Sequence, residues 1–239
     1  MSVSTSIGSY FDHPEKFPFE GFFDDISESF QILSKARTFL AERLAVPDVR
    51  ENHGILRGDA PNLHGCYFIG EGTVLYNDVT ILGPVYIGKN CEILPGAVLR
   101  PYTILSDHCS VGHGSEVKHT VMFGGSKVAS LAFVGDSVLG ASARVGSGVI
   151  TANRKFNQTN ATLKTGSGKL DLGDSFFGCI LGDSSRLGAN SVTQPGTHIG
   201  PHSWIYPLTN VRGFIPACKR VYHPNTVVME DNEIVELKP

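Results

Sequence analysis

The chain has 239 residues, of which 41% are hydrophobic and 18% charged, and its formal net charge at pH 7 is −3. This is the balance of an ordinary globular protein, and it excludes a global basic field that would recruit nucleic acid or an anionic membrane, although local basic sites remain possible. No apolar run is long enough to span a membrane, and the first residues lack the basic start and apolar core of a signal peptide. We therefore expect a cytoplasmic protein with no nucleic-acid and no membrane partner.

The first predicted element is an amphipathic helix in the segment DDISESFQILSKARTFLAERLAV. Asp25 is a candidate N-cap residue, with Glu28 three positions later. An apolar stripe follows at helical spacing and comprises Ile26, Phe30, Leu33, Phe39 and Leu40. We predict that residues 1–66 form an N-terminal extension whose helix caps the open end of the repeat domain that follows, because terminal repeats need such a cover.

From residue 69 onward, an aliphatic residue recurs at every sixth position. The run comprises Ile69, Leu75, Ile81, Ile87, Ile93, Leu99, Leu105, Val111 and Val117. A period of six fits neither an amphipathic helix nor a two-faced strand. It is typical of a hexapeptide parallel β-helix, in which three hexapeptides close one triangular coil and coils stack about 4.8 Å apart. We predict such a β-helix, with about six coils, over residues 67–216.

Two segments inside this range break the rhythm and are predicted to be inserted loops, 119–131 and 153–176. Long insertions in a solenoid usually serve the surface, a partner or a ligand. Residues 217–239 are predicted to be a C-terminal tail that contains a short alternating strand.

Arg100 and Lys118 are 18 residues apart, so the β-helix stacks them one above the other. Two cations about 5 Å apart repel each other unless an anion lies beside them, and a phosphate would satisfy both. The alternative is that they are solvated surface cations, or that they pair with Glu116. His113 and His119 each lie two residues past a core position but on adjacent faces, so they converge only across a subunit boundary.

The segment RPYTILSDHCSVGHGSEVKHTVMFGGSKVASLAFVGDSVLGASARVGSGVITAN carries a family resemblance. It resembles the acetyltransferase domain of bifunctional UDP-N-acetylglucosamine pyrophosphorylase/glucosamine-1-phosphate acetyltransferase. It is closer still to the β-helix half of archaeal-type sugar-phosphate nucleotidylyltransferases. The patterns VxxxxEVK, VGDSxxG and GxGxxTAN occur in the expected order, and no segment resembles the pyrophosphorylase half.

The resemblance implies an all-β, left-handed parallel β-helix that assembles as a homotrimer. It implies sites between neighbouring subunits that use acetyl-CoA, or another acyl-CoA, and an amino-sugar 1-phosphate. Arg100 and Lys118 fall on the family's phosphate-binding positions. Asn153 falls on a substrate-contacting asparagine, and Ser147 on a backbone contact to the thioester of acetyl-CoA.

Three family positions carry a different residue here. Ser130 replaces the catalytic histidine, Phe133 replaces a tyrosine and Arg144 replaces a substrate-binding asparagine. The missing histidine is the general base that takes the proton of the attacking amine, and serine cannot do so at neutral pH. His119 and His113 are therefore the candidates for a relocated base.

The sequence thus predicts an acyl-CoA-dependent acyltransferase-like protein that acts on, or binds, an amino-sugar phosphate or nucleotide sugar. The alternative is a non-catalytic binding or assembly module that partners a separate nucleotidylyltransferase. A third hypothesis comes from the segment VGHGSEVKH, which resembles the zinc-binding segment of γ-carbonic anhydrases. Its histidines are six rather than five residues apart, and no upstream histidine completes a three-ligand set, so we predict no metal.

Overall fold

A computed structural model describes residues 3–165 and 168–222. Its main body is a parallel β-solenoid with three flat faces, and each coil contributes one short strand to each face. Face 1 has nine strands: Arg50–Asn52, Tyr67–Ile69, Val85–Ile87, Thr103–Leu105, Val121–Met122, Val138–Leu139, Cys179–Leu181, Thr197–Ile199 and Phe214–Ile215. Face 2 has nine strands: Ile55–Arg57, Val74–Tyr76, Glu92–Ile93, Ser110–Val111, Lys127–Val128, Arg144–Val145, Arg186–Leu187, Trp204–Ile205 and Arg220–Val221. Face 3 has eight described strands: Asn62–His64, Thr80–Leu82, Val98–Leu99, Glu116–Lys118, Phe133–Gly135, Ile150–Thr151, Val192–Thr193 and Asn210–Val211.

The predicted fold class, an all-β parallel β-helix of hexapeptide repeats, is confirmed. The six-residue aliphatic positions point into the solenoid and are fully buried, as Leu99 and Val117 are at 0% exposure. Burying these side chains is the main stabilising contribution, at about 25 cal/mol per Å² of apolar surface removed from water.

Within the described residues the solenoid has nine coils rather than about six, and it begins at Arg50 rather than at 67. Residues 119–131 also differ from the expectation of an inserted loop, because they supply the strands Val121–Met122 and Lys127–Val128. The inward residue after Val117 is Met122, five positions later, so the rhythm shifts by one residue without leaving the fold.

The N-terminal extension folds against the side of the solenoid, not over its open end. Helix α1, Gln31–Leu40, continues into a π-helical turn, Ala41–Ala45, and is preceded by short 3-10 turns at Ile7–Ser9 and Pro14–Lys16. Its buried side chains pack on apolar residues that project outward from face 1. These outward residues are Ile104, Val121, Val138 and Ile180. An apolar outer face needs a cover, and the helix provides it.

Helix α1 begins six residues later than its predicted cap. The side-chain carbonyl of Gln31 accepts hydrogen bonds from the amides of Ser27 and Glu28, so it orders the approach to the helix. Asp25 instead forms an ion pair with Lys35, with Nζ to Oδ1 at 2.7 Å.

Residues 153–176 do leave the coil, and they carry an antiparallel hairpin formed by Thr162–Thr165 and Gly168–Asp171. Ala161, Leu163 and Leu172 join the same apolar cluster as helix α1. Of the predicted tail, Arg220–Val221 forms the last strand of face 2, and residues 223–239 lie outside the described residues. No helix in the described part of the chain is long and apolar enough to cross a membrane.

Candidate functional site

Arg100 and Lys118 lie on adjacent coils at the end of face 3, because Val117 pairs with Leu99. Each of the two cations pairs with its own carboxylate. Arg100 Nη1 contacts Glu116 Oε1 at 2.6 Å, and Lys118 Nζ contacts Asp136 Oδ2 at 2.9 Å. The first pair is partly exposed, whereas the Asp136 side chain is 1% exposed.

Asp136 is the centre of a buried polar network at corner 3–1, the turn that leads from face 3 to face 1. Its carboxylate accepts hydrogen bonds from Lys118 Nζ, from His119 Nδ1 at 2.9 Å and from Asn153 Nδ2. Burial alone would raise the pKa of Asp136, but the hydrogen bonds from His119, Lys118 and Asn153 outweigh it and lower the pKa. The carboxylate is therefore ionised at neutral pH.

His119 is 3% exposed and has an acceptor at each ring nitrogen. Nε2 lies 2.9 Å from the carbonyl oxygen of Leu33 in helix α1, and Nδ1 lies 2.9 Å from the Asp136 carboxylate. Both ring nitrogens are therefore occupied by partners inside the protein. The contact with Leu33 fastens helix α1 to the solenoid, and the buried, fully partnered ring does not present a nitrogen to an acceptor in the way that the predicted role of base requires.

A cavity of about 220 Å³ lies beside this network. Arg100 and Lys118 line it, together with Arg37 from helix α1 and Phe176 from the insertion. The ammonium of Lys118 lies 4.4 Å from the centre of the Phe176 ring, a cation–π contact. The two segments outside the repeat thus help to build the cavity that carries the predicted phosphate-binding residues.

Corner 2–3, the turn from face 2 to face 3, holds a second group of predicted residues. His113, Ser130 and Ser147 occupy the same place in successive coils, since Leu131 N donates to His113 O and Gly148 N donates to Ser130 O. Pro95 and Pro207 occupy this place in other coils, where no backbone N–H is required. In the described chain the Ser147 amide likewise has no acceptor, so it projects a free donor.

His113 is exposed, and its Nδ1 lies 2.8 Å from the carbonyl oxygen of Pro95. A carbonyl can only accept, so Nδ1 carries the proton and Nε2 of the neutral ring retains its lone pair. This is the tautomer that a general base needs. His113 and His119 lie at different corners, and no group of three or more potential metal-ligating side chains occurs among the described residues.

A groove of about 630 Å³ runs from corner 2–3 across face 2, and it is lined by Ser130, Arg144 and Ser147. Small residues at its edge let a ligand approach the backbone closely, and they are Gly112, Ala129, Gly146 and Gly188. None of the described lining residues is acidic.

Basic side chains form a ladder along face 2, one coil apart. The strand register aligns Lys127, Arg144, Arg186, Trp204 and Arg220 in one column. Arg186 and Arg220 lie over the Trp204 ring, at 6.0 and 5.2 Å from its centre. We name this column the cationic ladder. It gives the groove a positive wall and one exposed aromatic ring.

The predicted residues therefore fall into two groups. Arg100, Lys118, His119 and Asn153 surround corner 3–1, whereas His113, Ser130, Arg144 and Ser147 surround corner 2–3. Phe133 lies on face 3 between Glu116 and Ile150 of the neighbouring coils.

The sequence reasoning missed Arg37, Asp136 and the cationic ladder. Asp136 is the aspartate of the VGDSxxG pattern, so that pattern was a signal that could have identified it. The ladder was hidden because the insertion 153–176 separates Arg144 from Arg186 in sequence.

Comparison with known proteins identifies the family. The profile of the GMPPB C-terminal domain matches residues 81–205, which is more than half of the chain. The chain belongs to this family. The match covers the coils that carry both groups of predicted residues, and it leaves out helix α1 with Arg37.

Among three curated relatives of this GMPPB C-terminal domain protein, two are named as acetyltransferases. A bifunctional sugar-1-phosphate nucleotidylyltransferase/acetyltransferase of Sulfurisphaera tokodaii is 33% identical over 82% of this chain and 48% of its own length. The bifunctional protein GlmU of Methanocaldococcus jannaschii is 28% identical, over 90% and 49% respectively. An uncharacterized acetyltransferase of Escherichia coli, YaiX, is 32% identical, over 62% and 65%. The chain thus spans about half to two thirds of the length of these relatives.

Proposed function

We propose that this protein is an acyl-CoA-dependent N-acetyltransferase whose acceptor is an amino-sugar phosphate. The observation that carries the proposal is the groove on face 2, which joins the free Ser147 amide to the cationic ladder. An acyl-CoA has a thioester at one end and phosphate groups at the other, so the two ends of the groove match the two ends of the molecule in chemistry. The relatives named as acetyltransferases support the same assignment.

The Ser147 amide is placed to stabilise the thioester oxygen. A free N–H beside the carbonyl donates to the oxyanion that forms when the amine attacks, and such donors are a major source of rate enhancement. The amine nitrogen forms a bond to the carbonyl carbon, the C–S bond breaks, and CoA leaves as the thiolate.

His113 is the base of this proposal. Its Nε2 lone pair takes the proton of the attacking amine, while Nδ1–H remains bonded to Pro95 O. Arg100 and Lys118 hold the phosphate of the acceptor, and the homotrimer that the resemblance implies brings a neighbouring subunit to the site. His113 at corner 2–3 and the phosphate cavity at corner 3–1 then serve one acceptor together.

The test is acetyl transfer by the purified protein. Acetyl-CoA is incubated with glucosamine 1-phosphate, release of the CoA thiol is followed, and the product mass is determined. We expect N-acetylated product with the phosphorylated sugar and much less with glucosamine alone. Acetyl-CoA binding without any transfer to either sugar contradicts the proposal.

A second candidate is a non-catalytic sugar-nucleotide-binding module. Ser130 at the family's base position favours it, because the base is absent from its usual place. This candidate predicts that sugar nucleotides raise the melting temperature whereas acetyl-CoA does not.

A further inference from the structure

Three basic side chains from separate parts of the chain meet at the 220 Å³ cavity beside corner 3–1. Arg100 and Lys118 come from face 3, and Arg37 comes from helix α1, which lies outside the segment that matches the family profile. The cavity has room for about seven water molecules at their liquid volume. That is enough for a phosphate group together with part of a sugar ring, and Tyr102 and Phe176 supply aromatic walls.

The guanidinium of Arg37 has long contacts to the described residues, including a cation–π contact at 5.9 Å from the centre of the Tyr102 ring. Its Nη2 lies 3.4 Å from Asp174 Oδ2 and 3.5 Å from His119 Nδ1. Charge-assisted hydrogen bonds are normally about 2.7–2.9 Å long. Nδ1 of His119 already donates a hydrogen bond to the Asp136 carboxylate, so it offers Arg37 no acceptor. Arg37 is 47% exposed, so most of its five N–H donors remain available to a ligand.

Three long basic side chains converge on the cavity. Arg37, Arg100 and Lys118 line it, and each also has one carboxylate partner, which is Asp174, Glu116 and Asp136 respectively. The Arg37 and Arg100 pairs are partly exposed, so their carboxylates neutralise them only weakly. An anion that enters the cavity can therefore accept several charge-assisted hydrogen bonds.

We propose that Arg37 is a further phosphate-binding residue, which with Arg100 and Lys118 clamps the phosphate monoester of the acceptor. The proposal rests on the proposed function in naming an acceptor, but the anion site itself is independent of acetyl transfer. The planar guanidinium of Arg37 adds a pair of parallel N–H donors to those of Arg100 and Lys118. This arrangement favours a terminal phosphate, which presents three oxygens. Helix α1 thereby determines acceptor specificity, and His119 positions it through Leu33.

The experiment measures phosphate binding by isothermal titration with inorganic phosphate. The full chain is compared with R37Q and with R43Q, a matched control that removes the same charge from the adjoining helical turn, away from this cavity. We expect R37Q to raise the Kd at least about tenfold, as for loss of a charged hydrogen bond. The Kd of R43Q should stay within about twofold. An unchanged Kd in R37Q, or an equal loss in R43Q, overturns the proposal.

R37K controls for the possibility that R37Q simply fails to fold. Lysine keeps the positive charge beside Asp174 but lacks the paired N–H donors of the guanidinium. We expect R37K to melt like the wild type and to bind phosphate more weakly, by about threefold. Binding at wild-type strength in R37K and R37Q together overturns the proposal, as does a wild-type chain that binds no phosphate.

Acetyl-transfer kinetics separate this inference from the proposed function. If phosphate binding depends on Arg37 but no acetyl group is transferred, the proposed function fails and the anion site stands. If transfer occurs and R37Q leaves the KM for glucosamine 1-phosphate unchanged, the function stands and Arg37 has no part in it. The expected result is a raised KM with little change in kcat, which a merely structural role would not produce.

Discussion

His113 lies directly below Ser130 at corner 2–3, one coil away, because the amide of Leu131 donates to the carbonyl oxygen of His113 at 2.8 Å. Parallel coils are separated by about 4.8 Å. The imidazole therefore lies a single coil away from the position that the resemblance implies for the base. In the proposed function, His113 serves an acceptor that lies across the corner, and the hydrogen bond to Pro95 leaves Nε2 available.

Removing this imidazole should abolish most of the activity. We expect H113N to lower kcat for acetyl transfer about 100-fold or more, the usual range for loss of a general base, with the Kd for acetyl-CoA unchanged. Thiol release and isothermal titration measure the two quantities. His202 is a matched control, because it is another exposed corner histidine, and H202N should retain full activity. Equal activity of H113N and the wild type removes His113 from the mechanism.

Restoring the family's histidine should rescue the loss. In the H113N background, we expect S130H to recover at least about tenfold in kcat, because it returns a base to the position that the resemblance implies. The same steady-state assay measures the recovery. No gain over H113N would mean that the acceptor does not lie at corner 2–3.

Asp136 should make stability depend on pH. The pKa of Asp136 in the folded protein is lowered, because its hydrogen bonds outweigh the effect of burial. The ionised carboxylate therefore stabilises the fold fully above the unfolded-state pKa of about 3.9. This stabilisation is lost as the pH falls through the lower pKa of the folded state. We expect D136N to be less stable by about 3 kcal/mol at pH 7, with the difference narrowing below about pH 4. Urea unfolding at pH 7 and at pH 3.5 measures both differences.

Asp78 offers the control for that comparison. It also lies at a corner with positive φ, at 59° against 47° for Asp136, but it is exposed. D78N should change the unfolding free energy little at either pH. A difference between D136N and the wild type that stays constant with pH would contradict the assigned network.

The cationic ladder should govern acyl-CoA affinity. We expect R186Q to raise the Kd for acetyl-CoA about tenfold and to reduce its salt dependence, because one charged contact to phosphate is lost. R212Q removes the same charge from an exposed site outside the groove and should bind normally. Titrations at two salt concentrations measure both effects. An equal loss of acetyl-CoA affinity in R212Q would indicate that only the overall electrostatic field of the protein matters.

Glu116 should compete with the acceptor for Arg100. The pair is about 40% exposed, so it contributes only about 0–1 kcal/mol to stability. We expect E116Q to leave the melting temperature unchanged and to lower the Kd for inorganic phosphate severalfold, since Arg100 is released. E92Q, an exposed change on face 2, should alter neither quantity. Weaker phosphate binding by E116Q would mean that Glu116 holds Arg100 in place for the ligand.

The six-residue spacing was enough to predict the solenoid, because each aliphatic position such as Leu99 or Val117 must point at the axis. It undercounted the coils because corner 3–1 is one residue shorter at His119 and Asp136, where the inward residues are five positions apart. A search for a strict six-residue period interprets this five-residue step as an insertion. The first coil, from Arg50, was missed because its exposed strands carry no six-residue aliphatic pattern.

The sequence was enough to predict which residues of the site are neighbours when they lie at equivalent positions of adjacent coils. The 18-residue spacing placed Arg100 beside Lys118 correctly, but it could not show that each has its own carboxylate. The part played by Arg37 depends on how helix α1 packs against face 1, and no local pattern records that contact. The contact between His119 and helix α1 was missed for the same reason, because its partner Leu33 is distant in sequence.

The corner places of this solenoid lie outside the hydrophobic core, so their occupants can change without repacking the interior. Proline, histidine and serine share one such column here, at Pro95, His113 and Ser130, above an unaltered aliphatic stack. A ligand lying along that column would contact one residue from each coil in turn. A substitution at one of these corner residues can therefore move, remove or restore a reactive group, while the contacts from the other coils still bind the ligand.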